Sequence, residues 1–267
     1  IMPKTTKSEI AKSEAEKYDK KTPREHVLLR PDTYIGDIEP TTEDMWIFSD
    51  KENKMIKKKI NYTPGFLKTF DELIIKRLHN NLIASERARN YFTYRKIQKP
   101  SCIKFSLGYS EKQDMVTVPI TTPDGNMFVG FVGRSIEGKD FKNTPRLPKS
   151  KILFNLHRAR LHDTVYVVES SFDAIRLDQC GIAAVATLGS SISKTQIDLL
   201  TKYFNNVILI PDNDDAGKEM VRRVIDGMGH RAVSIGIPQR FKDIGDMTDS
   251  DIGELVKKTQ DPLLAMY

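Results

Sequence analysis

The sequence predicts an α/β fold in which a parallel sheet is flanked by helices and preceded by a small basic α+β subdomain. Two short apolar runs predict the sheet: Val165–Val168 ends at Glu169, and Val207–Ile210 ends just before Asp212. Short β-branched runs separated by helix-like segments are typical of buried parallel strands in βαβ units. Alternating apolar residues upstream, followed by a basic stretch that contains prolines, predict the subdomain.

Three acids follow the two apolar runs, namely Glu169, Asp212 and Asp214. In open α/β sheets the functional groups lie just past the carboxyl ends of the strands. No Lys or Arg adjoins these acids in the sequence, so they would repel one another unless a cation neutralised them. Because hard oxygen ligands favour Mg²⁺ or Mn²⁺ over zinc, the pattern predicts a divalent-metal site for phosphate chemistry. The alternative for Asp212 alone is a helix-capping role.

Composition narrows the class of protein. The chain has 267 residues and a net charge of +6, which suits a partner that carries phosphates but does not by itself establish one. Its two cysteines, Cys102 and Cys180, lie far apart, which argues against a zinc site or a disulfide framework and fits a reducing cytoplasm. No apolar run approaches the roughly 18 residues of a membrane span, so we expect a cytoplasmic protein with no membrane partner.

Changes in composition predict five segments. These are a flexible charged arm (1–20), a first fragment (21–78), the basic subdomain (79–162), the parallel-sheet domain (163–240) and an acidic motif with a tail (241–267). The first residue is Ile1, so we expect the native start to lie upstream.

Within the basic subdomain, Met115–Ile120 and Met127–Arg134 are predicted to form a β-hairpin. The following stretch, residues 138–155, is basic and interrupted by prolines, so it is predicted to be an ordered loop. Its basic residues are Lys139, Lys142, Arg146, Lys149 and Lys151. They are either phosphate ligands beside the acidic sheet edge or solvated loop charges.

The sequence resembles two known families. The motifs EHVLLRPDTYIG (25–36), MWIF (45–48) and TPGFLKTFDEL (63–73) resemble the start of the ATPase domain of eukaryotic and viral type II DNA topoisomerases. The resemblance makes Glu72 the counterpart of the general base for ATP hydrolysis. Lys76 and His79, however, stand where that family has a magnesium-binding Asn and an Asp, and no glycine-rich phosphate loops follow. We therefore expect a fused fragment without ATPase activity, with Glu72 as a surface acid.

Residues 84–246 resemble bacterial and phage DNA primases, whose catalytic core ends in a toprim sheet shared with topoisomerases and some nucleases. The matching motifs are GYS (108–110), VGFVGR (129–134), LPKSKILFN (147–155), VVES (167–170), VATLGSSIS (185–193) and PDNDDAGK (211–218). These motifs occur in the same order as in the primases, and a basic hairpin domain precedes the sheet in both.

The primase resemblance implies roles for individual residues. The catalytic, metal-binding acids would be Glu169, Asp212 and Asp214, with Asp173 and Asp243 as further metal ligands. Primases commonly have another acidic residue two positions after the counterpart of Asp243, where this chain has Gly245. Arg134 and Lys149 match family residues that bind nucleotide or template phosphates, and Lys139, Lys142 and Lys151 of the basic stretch are expected to assist them. Asp140 stands where the family has a lysine, so either Lys139 or Lys142 compensates for it or the activity is weakened.

The expected activity is synthesis of short RNA primers on single-stranded DNA from NTPs, by nucleotidyl transfer with two Mg²⁺ or Mn²⁺ ions and no zinc. Because a zinc-binding template-recognition domain is not expected, initiation is expected to depend on partners such as a replicative helicase or a separate template-recognition protein. Two alternatives stay open: a toprim fragment of a type II topoisomerase or nuclease, and a non-catalytic fusion that only binds nucleic acid.

Overall fold

The computed structural model describes residues 22, 25, 28–30, 33, 37–49, 54–138 and 140–260. The predicted charged arm and Lys139 lie outside the described residues. The chain forms two compact units, residues 1–72 and 73–267. None of the helices in the described ranges is long and apolar enough to cross a membrane.

The first unit contains a two-stranded antiparallel sheet. Strand β1 (Thr41–Ser49) pairs with β2 (Lys54–Tyr62), in a register that places Thr41 opposite Tyr62. Helix α1 (Pro64–Ala84) begins with a proline, whose fixed φ suits the first helical turn. Glu72 is exposed on α1, in agreement with the surface position expected for it. The helix continues without a break past the segment boundary predicted at residue 78.

The second unit opens with helices and an antiparallel sheet. Its elements are α2 (Glu86–Tyr94), α3 (Lys99–Lys104), β3 (Gly108–Ser110), β4 (Met115–Thr121), β5 (Phe128–Ser135) and β6 (Phe141–Asn143), and the strand order is β3-β4-β5-β6. The predicted hairpin is confirmed as β4 and β5. The prediction of a loop over residues 138–155 is wrong for β6, which adds an edge strand to β5.

A parallel sheet follows, as predicted. Its strands are β7 (Thr164–Val168), β8 (Ala184–Ala186), β9 (Asn206–Leu209) and β10 (Ala232–Ser234), in the order β10-β9-β7-β8. The helices are α4 (Leu156–Ala159), α5 (Ser171–Gln179), α6 (Lys194–Tyr203), α7 (Asp215–Met228) and α8 (Asp249–Gln260).

Alternating side chains of β7 enter two different cores, because successive residues of a strand point to opposite faces of the sheet. Val165 and Val167 join a cluster that includes residues of α6 and α7. Tyr166 and Val168 join a larger cluster that includes residues of α5, α8 and the antiparallel sheet. The parallel sheet is therefore covered on both faces, as a buried parallel sheet requires.

Residues of the basic subdomain (79–162) and of the parallel-sheet domain (163–240) meet in this larger core. Phe92 of α2 stacks on Phe172 of α5 with ring centroids 6.2 Å apart, and Tyr91 meets the same ring edge-on at 6.4 Å. Burying a large apolar side chain contributes about 1.5–3 kcal/mol. The first turn of α5, which follows Glu169 directly, is thus fixed against the basic subdomain.

Candidate active site

Two strands of the parallel sheet deliver acids to one edge. Glu169 follows β7 directly, and Asp212 lies three residues after the end of the neighbouring strand β9. Since the carboxyl ends of parallel strands meet at the same edge, both side chains arrive at the location that the sequence predicted. Glu169 is only 9% exposed.

A tight turn joins Asp212 to Asp214. Asp214 caps helix α7 by accepting a hydrogen bond of 2.8 Å from the backbone N–H of Gly217. A Cβ atom at Gly217 would lie 2.4 Å from the backbone oxygen of Asp212, so glycine is required for this close approach. Asp214, not Asp212, is therefore the capping residue, and Asp212 is left for another role.

Two further acids approach from other segments. Asp173 lies in the first turn of α5, is 3% exposed, and accepts a hydrogen bond of 3.0 Å from the backbone N–H of Gly245. Asp243 caps the short 3₁₀ helix Ile244–Asp246 by accepting a bond from the N–H of Asp246. The carboxylate of Asp246 instead accepts from the backbone N–H of Lys242.

The five acids form one electrostatically coupled group, which we call the acidic rim (Glu169, Asp173, Asp212, Asp214 and Asp243). Burial, followed by the negative charges of Asp212 and Asp214, raises the pKa of Glu169 to about 7. Burial, followed by the charges of Asp243 and Asp212, raises the pKa of Asp173 to about 8. Burial and the charges of Asp243 and Asp214 also raise the pKa of Asp212.

The chemical groups of the rim are those that a hard divalent cation prefers as ligands. Its donors are carboxylate oxygens, and one of them, the buried Oε1 of Glu169, has no hydrogen-bond partner in the described part of the chain. An unpaired buried oxygen of this kind is costly unless a cation or water satisfies it. Within the described ranges, however, no three His, Cys, Asp or Glu side chains are gathered closely enough to enclose an ion.

The raised pKa values predict a pH-dependent stability that divalent ions should reverse. An acid whose pKa is higher in the folded state than in the unfolded state destabilises the fold as the pH rises from the unfolded pKa to the folded pKa. This pH window runs from about 4 to about 7 for Glu169 and from about 4 to about 8 for Asp173. In EDTA we expect the free energy of unfolding, and with it Tm, to fall between pH 5.5 and 8, by at most about 1.4 kcal/mol per pH unit for each group.

Addition of Mg²⁺ should then raise Tm more at pH 8 than at pH 5.5, because the ion binds the ionised rim. Thermal unfolding at the two pH values, with EDTA or Mg²⁺, measures this. An equal Mg²⁺ effect at both pH values would contradict the prediction.

A cavity of about 340 Å³ adjoins the rim and brings basic and acidic residues together. Glu169 and Asp212 line it from the parallel-sheet domain, while Lys149, Asn143 and Phe141 come from the basic subdomain. The Oδ1 atom of Asn143 is buried without a hydrogen-bond partner among the described residues. The cavity therefore offers acids, a cation, an amide and an aromatic ring to one ligand.

The predicted basic residues are distributed unequally around this cavity. Lys149 lines it, and the guanidinium of Arg134 lies 4.9 Å from the ring of Phe141, which also lines it. Lys142 and Lys151 are exposed and are not part of the lining.

One basic residue of the site was missed by the sequence reasoning. The guanidinium of Arg95 lies 5.8 Å from the ring of Phe172, as does that of Arg134, and its charge opposes the rise in the pKa of Asp173. A Cβ atom at Gly245 would lie 2.8 Å from Arg95, so Arg95 occupies the space that the absent second acid would need. The departure from the primase pattern at Gly245 was the one available signal.

Gly189 follows strand β8 but does not open the next helix. Helix α6 begins at Lys194 behind a capping box formed by Ser193 and Gln196, which places the helix start five residues later. Gly189 is instead exposed in the loop after β8 and lines the cavity beside Glu169.

Comparisons with known proteins agree with this geometry. Residues 166–248 match a family model described as Toprim-like. The DNA topoisomerase 2 of Plasmodium falciparum is 41% identical over 98 residues, which are 37% of this chain and 6% of that protein. The chain thus spans only a small part of such relatives.

Two solved structures are similar in fold. The Aquifex aeolicus primase, comprising its zinc-binding and RNA polymerase domains, has a TM-score of 0.61 and 23% identity over 70% of this chain and 59% of its own. A DnaG primase catalytic domain bound to ssDNA has a TM-score of 0.59 and 20% identity, covering 70% of this chain and 76% of its own. The chain therefore contains a Toprim-like segment within a fold similar to that of DnaG primase catalytic cores.

Proposed function

We propose that this protein is the catalytic core of a DNA primase, which synthesises short RNA primers on single-stranded DNA with Mg²⁺ or Mn²⁺. The observation that carries the proposal is that one cavity is lined both by Glu169 and Asp212 from the parallel sheet and by Lys149 and Asn143 from the basic subdomain. A nucleotidyl-transfer site needs this combination of metal-binding acids and phosphate-binding cations. The similarity in fold to a primase domain bound to ssDNA supports the same proposal.

In the proposed reaction a primer 3′-oxygen forms a bond to the α-phosphorus of an NTP, and the bond from that phosphorus to the β-phosphate oxygen breaks to release pyrophosphate. Bound divalent ions would supply positive charge to the attacking and leaving oxygens. Glu169, Asp212 and Asp214 would hold them, assisted by Asp173 and Asp243, after side-chain movements that close the rim. Glu169, whose pKa is about 7, would lose its proton as it becomes a ligand.

The basic residues would bind the phosphates. Lys149 faces the same cavity as the acids, so its ammonium can contact the triphosphate directly. Arg134 and Arg95 flank Phe172, and each has a buried Nε without a hydrogen-bond partner in the described ranges. Phe141, which is 54% exposed at the cavity, offers a ring on which a base can stack.

Two lysines of the basic stretch, Lys149 and Lys151, allow a matched test of the proposed phosphate contact. Lys149→Ala should lower kcat/KM for NTP about 10-fold to 100-fold, because a hydrogen bond to a charged group contributes about 1.5–3 kcal/mol. Lys151→Ala is the control, since it lies in the same 3₁₀ turn and does not line the cavity. Primer synthesis on single-stranded DNA with labelled NTPs measures both variants. Normal synthesis by Lys149→Ala would remove Lys149 from the proposed site.

A second candidate function is DNA cleavage or rejoining by a toprim protein. The Toprim-like match over residues 166–248 favours it, because toprim sheets occur in topoisomerases and some nucleases as well as in primases. The primer-synthesis assay, run beside a supercoiled-plasmid cleavage assay in the same metal, separates the candidates. DNA cleavage without primers would support the second function, and nucleic-acid binding with neither activity would indicate a non-catalytic binding protein. A fusion with a topoisomerase-like fragment, and a helicase or separate template-recognition partner, are further parts of the proposal.

A further inference from the structure

Two cations from other parts of the chain hold the segment that carries Asp243. Lys96, which follows α2, donates from Nζ to the backbone oxygen of Asp246 and, at 3.4 Å, to that of Met247. Arg176 of α5 donates from Nη2 to the same oxygen of Met247 at 3.0 Å. These bonds lie at the end of the short 3₁₀ helix that Asp243 caps. We call the two side chains, Lys96 and Arg176, the clamp.

The clamp is itself anchored on α5. Arg176 is 1% exposed, and its Nη1 donates to the backbone oxygen of Lys96 at 3.0 Å and lies 2.6 Å from the carboxylate of Asp249. Gln179, about one helical turn further along α5, donates from Nε2 to the same oxygen of Lys96 at 3.1 Å. Two donors on one carbonyl group fix the turn at Lys96, so its ammonium is directed at the segment from a fixed backbone.

The backbone at Lys96 is unfavourable for a lysine. Its φ of 56° lies in the left-handed region, which favours glycine and costs other residues about 1–2 kcal/mol. Glycine would fit this turn after α2 without that cost, but it has no ammonium to donate. Strain that the surrounding structure maintains is typical of residues near functional sites, so the strain points to a role for the side chain.

The clamp opposes a repulsion within the acidic rim. Asp243 is electrostatically coupled to Asp173 and Asp212, and these like charges push its segment away from the sheet edge when no cation is bound. The N–H of Gly245 ties the same segment to Asp173 at 3.0 Å. Because the clamp binds this segment through backbone oxygens, it leaves the carboxylates of the rim available to an ion.

We propose that Lys96 and Arg176 are positioning residues that hold Asp243 at the acidic rim, in place to bind a divalent ion. The inference rests on the proposed function and deepens it, because it names what keeps one ligand of the metal site in position. The clamp acts through Asp243 and contacts neither the ion nor the nucleotide.

Binding of Mn²⁺ to the full chain, without DNA or NTPs, tests the clamp, because the EPR signal of free Mn²⁺ reports how much is bound. Lys96→Met should weaken binding about 10-fold, at the lower end of the range for residues that orient metal ligands. Loss of a positive charge beside the rim would by itself strengthen cation binding, so only lost positioning predicts a weakening. Arg176→Met should act in the same direction. Lys96 is exposed, so Lys96→Met should keep the fold even where the buried substitution does not.

Two further variants separate positioning from other effects. Lys104 also contacts α5, through Asp178 at 2.6 Å, and its side chain is 48% exposed. Lys104→Met therefore removes one charge and one contact to α5 without touching the segment of Asp243, and it should bind Mn²⁺ like the wild type. In an Asp243→Asn background, Lys96→Met should cause no further weakening, because the clamp acts through Asp243.

Wild-type or tighter Mn²⁺ binding by Lys96→Met would overturn the proposal. An equal loss in Lys104→Met, or losses that multiply in the double variant, would overturn it as well. No Mn²⁺ binding by the wild type would overturn both the clamp and the metal site of the proposed function.

The two ideas can also fail separately. If the wild type makes no primers but Lys96→Met selectively weakens Mn²⁺ binding, the clamp stands and the primase activity does not. If the wild type makes primers and Lys96→Met binds Mn²⁺ normally, the proposed function stands and the clamp does not.

Discussion

Asp212→Asn should abolish primer synthesis, with a loss of at least about 10²- to 10³-fold, the cost of removing one group that stabilises transition-state charge. Asparagine preserves the size of the side chain but removes the negative charge that Asp212 brings to the cavity edge. The measurement is the rate of primer synthesis on single-stranded DNA at saturating NTP and Mg²⁺.

The same substitution should not destabilise the protein. Burial and the neighbouring acids raise the pKa of Asp212, so its ionised form destabilises the metal-free fold at pH values above both its unfolded and folded pKa. At pH 8 in EDTA we therefore expect Asp212→Asn to have an equal or higher Tm than the wild type. Asp226→Asn, at an exposed position on α7, is the control for activity and should behave like the wild type. Undiminished synthesis by Asp212→Asn would contradict the proposed role.

Arg176→Ala should be destabilising by about 2–5 kcal/mol, the range for truncating a large buried side chain to alanine. Arg176 is 1% exposed and its guanidinium donates to the backbone oxygens of Lys96 and Met247, both at 3.0 Å, while Nη1 lies 2.6 Å from Asp249. Alanine would remove one donor from each carbonyl group, leaving Lys96 with its bond from Gln179 Nε2 (3.1 Å) and Met247 with a longer one from Lys96 Nζ (3.4 Å). It would also leave a cavity between α5 and the segment that carries Asp243. The free energy of unfolding in urea measures the loss.

Arg240→Ala provides the comparison. Arg240 is 67% exposed and pairs with Asp251 at 2.8 Å. Exposed ion pairs contribute about 0–1 kcal/mol, so we expect a change below about 1 kcal/mol. Similar stabilities for the Arg176 and Arg240 variants would show that the buried contacts do not hold the C-terminal segment in place.

The acids that follow the sheet strands could be predicted because local sequence determines them. β-Branched runs mark β7 and β9, and the residues after each run must emerge at the carboxyl edge of a parallel sheet. Asp173 was implied by the primase resemblance, and its place one helical turn after Glu169 fits the same edge. The hairpin of β4 and β5 followed from its turn residues and its alternating pattern.

The remaining parts of the site depend on contacts between distant segments. Arg95 reaches the rim only because Phe92 and Tyr91 pack on Phe172, and no spacing in the sequence indicates this contact. Strand β6 could not be predicted from its proline-containing stretch. It is an edge strand that pairs only with β5, so the sequence around it need not have the pattern of a central strand. Ile225 of α7 has the helical spacing of a core residue but is 39% exposed, because the periodicity does not specify how wide the buried stripe is.

The most direct measurement of the central claim is anomalous diffraction from crystals soaked in Mn²⁺. The proposed site predicts anomalous density in contact with carboxylate oxygens of Glu169 and Asp212, on the side of the cavity that faces Lys149. Crystals of Asp212→Asn under the same conditions should lose that density. Mn²⁺ bound only elsewhere on the wild-type protein, or no bound Mn²⁺ at saturating concentration, would contradict a metal-dependent nucleotidyl-transfer site at this edge of the sheet.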